Sequence, residues 1–187
     1  MLKKNFLFGF LMLTLASLAC SIFIGGPAYP ISQVSDPTPT ALDLQTDIQQ
    51  AVADGAQTGT ISLKISESQL TSYLANKLDS ETDPLISDPQ VILRDGQMIV
   101  FGKVQRGIFS ANVSITAQAG VDQNGQPKIE IIQTDLGPLP APKGLNEAVS
   151  SFVSEAYTGS LGPIATGFRL DSITIDNGIM TVTGRIK

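Results

Sequence analysis

From Gln97 to Leu136 the chain reads as a run of long strands joined by tight turns, and in its middle part hydrophobic and polar residues alternate. In the middle of that run Ala111, Val113, Ile115, Ala117 and Ala119 fall on one face, and Ser110, Asn112, Ser114, Thr116 and Gln118 on the other. A period of two predicts strands of a sheet with one wet face and one buried face. Met98, Val100 and Val104 share one face of the preceding strand while Ile99 and Phe101 share the other, which predicts cover on both sides there. Reversals are marked by Asp95-Gly96, Arg106-Gly107 and Asp122-Gln123-Asn124-Gly125.

Elsewhere the period changes. Leu44, Ile48, Ala51 and Val52 recur at threes and fours and predict a helix over 41–55, with Asp43 and Asp47 near its positive end and Gly55 as its stop. Ile61, Leu63 and Ile65 alternate and predict a first strand. Ser66-Glu67-Ser68-Gln69 matches a capping box, which starts a second helix carrying Leu70, Tyr73, Leu74 and Leu78. Gly137 to Pro142 is a stiff crossing segment. It leads to a third predicted helix, about Leu145 to Ser160, with Leu145, Ala148, Val149, Phe152, Ala156 and Tyr157 on one face. The chain ends in a hairpin turning at Asp176-Asn177-Gly178. This order predicts an α+β domain over 42–187, with a largely antiparallel sheet of about six to seven strands on two or three helices.

The first 41 residues read differently. Lys3 and Lys4 precede an uncharged apolar stretch from Phe6 to Ala19, too short for a comfortable membrane span and shaped like a signal peptide. It ends Ser17-Leu18-Ala19-Cys20, which resembles a bacterial lipobox, with Ser17 where that pattern has Leu. Residues 1–19 are therefore expected to be a lipoprotein signal peptide, and Cys20 the lipid attachment point. Ser21 to Ala41, with Pro27, Pro30, Pro37 and Pro39, is expected to be an extended tether. Ile22, Phe23 and Ile24 are placed to dip into the interface. The protein is then expected at the extracytoplasmic face of a cell membrane.

Composition narrows the chemistry. The 187-residue chain has a formal net charge of −5, and subtracting Lys3 and Lys4 with the leader brings it to about −7. No basic cluster offsets this, which argues against nucleic acid as a partner. There is no His, so a Ser-His-Asp site is excluded and the commonest metal ligand is missing. No Ser-x-x-Lys occurs after the leader, and no Gly-rich phosphate loop. Asp122-x-Asn124-Gly125 lacks the later Glu of a calcium loop and reads as a turn. Glu130, Glu147, Glu155 and Asp171 are the carboxylates not assigned to turns, caps or loops. No catalytic residue, metal or cofactor is expected.

Ile65-Ser66-Glu67-Ser68-Gln69-Leu70-Thr71-Ser72-Tyr73-Leu74, the Pro-rich passage Gly137 to Pro142 and the hairpin Leu170 to Gly184 together resemble YpmS-like and LmeA-like membrane-associated proteins. The resemblance covers about 60–187. It departs where Thr71 and Ser72 replace the family's Asn. It implies a curved sheet wrapped on helices, similar to tubular lipid-binding folds, and a role in binding or moving lipid. It implies no catalytic residue.

Two readings follow. In one, the sheet and helices form a groove for an acyl chain, lined by Tyr73, Leu74, Met98, Val100, Val104, Ala111, Val113, Ile115 and Phe152, where small side chains leave room. In the other, helix side chains such as Phe152 fill that space as ordinary core, and the protein is a non-enzymatic envelope scaffold whose partner docks on a strand edge.

Overall fold

Alternating stretches become strands and three-and-four stretches become helices throughout the described residues, which in this computed structural model are 22–30, 41–81, 84, 86–138 and 167–186. The fold is α+β. In chain order its elements are β1 (Ile22–Phe23), α1 (Ala41–Thr58), β2 (Thr60–Ser66), α2 (Glu67–Asp79), β3 (Ser87–Arg94), β4 (Gln97–Arg106), β5 (Phe109–Val121), β6 (Pro127–Asp135), β7 (Phe168–Asp176) and β8 (Ile179–Ile186). The expected helix over 145–160, with Phe152, lies outside the described residues, as does Cys20.

The strands form two sheets where the sequence predicts one. The larger runs β1-β5-β4-β3 with β6 also on β5, and the smaller runs β2-β8-β7. Every pairing is antiparallel except β1 on β5. The strand beyond the expected set is β1, which comes from the segment expected to be tether. It shares one edge of β5 with β6: β1 takes Phe109 and Ser110, and β6 takes Ser114 to Val121. With 13 residues β5 is the longest strand, about 43 Å at the usual rise.

The small sheet crosses one end of the large one and is bonded to it on both flanks. Leu170 N–H donates to the Gly125 carbonyl (2.9 Å) and Gly178 N–H to the Leu93 carbonyl (3.1 Å). Between them lies the main core: Leu44 and Ile48 from α1, Ile61, Leu63 and Ile65 from β2, Val91 and Leu93 from β3, Phe168, Leu170 and Ile175 from β7, and Met180 and Val182 from β8. Each such side chain contributes about 1.5–3 kcal/mol by burial. The residues are those that the period of three and four, or of two, places inward. Helix α1 runs past Gly55 to Thr58, because Gly55 is buried in the turn against the Phe168 ring and Gly59 takes the left-handed turn instead.

Helix α2 starts as the capping box requires. Gln69 N–H donates to Ser66 Oγ (3.2 Å) and Ser66 N–H to Gln69 Oε1 (3.0 Å). The same helix covers the open edge of β3. Leu93 N–H donates to Glu67 Oε1 (2.7 Å) and Val91 N–H to Thr71 Oγ1 (2.9 Å). Four helical residues rise about 6 Å and two strand residues about 6.6 Å, so an i, i+4 pair on a helix can meet alternate donors of a strand edge.

Candidate functional site

The register of β4 against β5 assembles the inner apolar row. Met98 pairs with Ala117, Val100 with Ile115, Gly102 with Val113 and Val104 with Ala111. Partners across a pair share a face, so these side chains form one surface. Ala111 is 0% exposed, Val113 1% and Ile115 5%. Near the small sheet the row belongs to the main core, where Met98, Val100, Tyr73 and Leu74 pack half-buried. Further along, Val104 and Val113 join Leu136 in a second cluster, with Ile86 packed against it. Ile86 occupies the space that a side chain at Gly102 would take.

The nine candidate lining residues are thus divided. Tyr73, Leu74, Met98 and Val100 are part of the main core, and Val104 and Val113 part of the smaller cluster. Ala111 and Ile115 are buried between them, and Phe152 is outside the described residues. Eight of them lie on or against one continuous face. That face is closed over in this structure: its five residues Val104, Ala111, Val113, Ile115 and Ala117 are each 5% exposed or less.

The outer face carries what the sequence did not foretell. Residues 24–30 run from the β5 edge across the polar side of the sheet. Ile24 N–H donates to the Ser110 carbonyl (2.9 Å), Asn112 N–H to the Gly25 carbonyl (2.9 Å) and Asn112 Nδ2 to the Pro27 carbonyl (3.1 Å). At the crossing, a Cβ on Gly26 would stand 2.1 Å from the Asn112 carbonyl oxygen, and its φ of 120° suits glycine alone. Beyond it the Tyr29 hydroxyl donates to the Asp88 carbonyl. The Tyr29 ring meets Phe101 edge to face, with centroids 6.2 Å apart. Lys103 lies over the ring and pairs with Asp88 (2.8 Å). A β-bulge between Ser87 and Gln90 aims Asp88 at both partners, with its backbone left-handed at φ 50°. Over 22–30 the expected tether is therefore a strand and a strap. It supplies cover on the second face at Phe101. Glycines at 25 and 26, both with positive φ, let this segment lie against the sheet.

Electrostatics at the strap follow from this packing. Burial, and then the Asp88 charge, push the Tyr29 hydroxyl above its ordinary value, with Lys103 pulling the other way. The hydrogen bond and charge of Asp88 raise Lys103. Signals for this constellation were present in Gly25-Gly26 and in the doubly apolar β4, but no local pattern joins Tyr29 to residues 59 positions away.

The two described carboxylates that the sequence left unassigned are in surface ion pairs. Glu130 is paired with Lys128, and Asp171 grips Arg185 with two bonds of 2.8 and 2.9 Å, both on the surface. Glu147 and Glu155 are outside the described residues. The Asp122 carboxylate accepts from Gln126 N–H and Asn124 N–H (2.8 Å each), which hold it below the usual carboxylate range while closing its own turn. Among the described residues no three acidic or sulfur side chains are grouped to hold a metal. Also among them, no helix is long and apolar enough to cross a membrane.

No protein-family model matches the chain, and no curated protein matches it. No family is thereby identified, the YpmS-like and LmeA-like families included. Among solved structures the chain is similar to one described as the crystal structure of lipopolysaccharide binding protein, at 12% identity and a TM-score of 0.31. The match covers 69% of this chain and 50% of that one, so it spans about half the length of that protein. At that level the likeness bears on neither ligand nor mechanism, and the α+β architecture rests on the structure itself.

Proposed function

We propose that this protein is a lipid-anchored, extracytoplasmic binder of an apolar ligand, a lipid acyl chain, held along the inner face of β4 and β5. No bond is made or broken. The observation that carries this reading is the small-residue row Val104, Ala111, Val113, Ile115 and Ala117, which continues beyond the main core. From Ala111 to Ala117 it runs about 20 Å, the length scale of an acyl chain. Alanines 111 and 117 in a buried row leave width that leucine would fill, so a ligand can take the place of the present cover with little change in the sheet. The anchor rests on Lys3, Lys4, the apolar stretch to Ala19 and Cys20.

The test is native mass spectrometry of the full chain extracted from membranes, followed by lipid analysis. A defined co-purifying lipid is expected, and its loss in a still-folded Val113→Trp variant, because indole would fill the row. A clean unliganded mass with no uptake of a fluorescent fatty acid would sink the reading and favour an envelope scaffold with a filled core.

A further inference from the structure

Seven large apolar side chains stand exposed among the described residues, and four of them are gathered at one end of the long sheet. They are Ile22, Phe23, Ile108 and Phe109, exposed by 49, 59, 57 and 43%. Ile22 is the register partner of Phe109, and its N–H donates to the Ile108 carbonyl. The four therefore stand together at one corner of the sheet, built from β1, the β4–β5 turn and the first residue of β5, with Ile22 and Phe109 on one face and Phe23 on the other. Residues 21–26 and 105–110 contain no carboxylate, although the chain as a whole is acidic, and their single charge is the basic Arg106. Exposed aromatic and branched side chains at the tip of a hairpin are costly in water and have no role in the core.

The chain running into the patch says what it meets. Cys20 is two residues before Ile22, and the apolar stretch Phe6 to Ala19 comes directly before that. Two residues reach about 7 Å at most. Acyl chains on Cys20 would be attached within that distance of Ile22, and a retained leader, which ends at Ala19, within about 11 Å. We propose that Ile22, Phe23, Ile108 and Phe109 form a lipid-docking tip, which inserts into the interfacial layer of the membrane that holds the N-terminus. The long sheet then stands on its end against the bilayer. The tip rests on the membrane attachment proposed above, and not on the identity of any ligand. Phe109 shares a face with Ala111, Val113 and Ile115 along β5, so docking brings the end of the inner row to the lipid surface. Insertion of this kind is apolar and needs no anionic lipid, so it persists at high salt.

The protein has no tryptophan, so one introduced residue is a sole reporter. Phe109→Trp and Ile179→Trp are made in the full chain, isolated from membranes and reconstituted into phosphatidylcholine vesicles carrying a shallow spin-labelled lipid. Ile179 is also exposed, at 41%. It lies next to the β3 end, about 26 Å along the sheet from the tip. Flotation reads attachment, and quenching reads the tip. Expected are a blue-shifted emission from the tip reporter, lipid quenching at least threefold stronger than at position 179, and no loss of either at 0.5 M salt (roughly a 4 Å screening length). Flotation with equal, water-like emission from both positions overturns the tip and leaves the anchor. Absence of flotation overturns the attachment, and with it the tip. A reporter shielded in native membranes but not in pure lipid vesicles also overturns it, in favour of a protein partner.

Discussion

Tyr29 holds residues 24–30 to the sheet through a group that ionises. Its hydroxyl donates to the Asp88 carbonyl and is partly buried beside the Asp88 carboxylate. A tyrosinate can donate nothing and would face that carboxylate. The folded pKa is raised, so this contribution is fully present below the ordinary tyrosine value of about 10. It is lost as pH rises through Tyr29's own higher value. In an alkaline absorbance titration Tyr29 is therefore expected to ionise in a late step, above that ordinary value. That late step should vanish in Tyr29→Phe, and the protection of the Ile24 amide relative to its intrinsic exchange rate should fall over the same pH range in the parent protein. A late step that survives the substitution assigns it to another tyrosine. None of this could be read locally. Tyr29 looked like one more residue of a Pro-rich stretch, and its partners come from β3 and β4.

At the scale of elements, the helices and strands were written in their periods, and the joints between them were not. The capping box at Ser66 and Gln69 is a local device, so four consecutive residues announce it. The edge cover at Glu67 and Thr71 uses the same helix but strand residues 26 and 20 positions away. Removing it should be measurable. Glu67→Ala leaves the Leu93 amide without its partner and should cost about 1–3 kcal/mol in urea unfolding. Thr71→Val keeps the shape, strands the Val91 amide, and should cost about 1 kcal/mol. If both substitutions leave the midpoint unchanged, water replaces these acceptors and the helix does not seal the edge. The division into two sheets also belongs here. Alternation gives β2, β7 and β8 their inward faces, but the same pattern serves a single sheet equally well.

For the whole molecule, the small sheet and both described helices cluster on one end of the long one, which leaves β5 to run on toward the exposed tip. That asymmetry gives the described part of the molecule a packed end and an end with exposed apolar side chains, the one proposed to meet the membrane. It also makes the attachment easy to probe. Cys20→Ser should remove the acyl anchor and shift most of the full chain from the membrane fraction to the soluble one, since four interfacial side chains alone hold a protein only reversibly. Labelled fatty acid should enter the parent chain and not the variant. Incorporation in both would place the lipid elsewhere. Unchanged fractionation would leave the uncleaved apolar leader as the anchor.

The sequence by itself determined the α+β class, the seven strands from β2 to β8, both described helices, the turns at Asp95-Gly96 and Asn177-Gly178, and the set of inward-facing residues. These follow from periods of two and about 3.6 and from backbone conformations that particular residues favour, all of which act over a few neighbours. Only the tertiary structure decided that residues 22–30 strap the sheet, that Glu67 and Thr71 close an edge, that the candidate row splits between two clusters, and that Ile22 and Phe109 stand side by side. Each of those depends on groups brought together across long loops, where the cost of closure depends weakly on loop length and no short-range pattern records the partner.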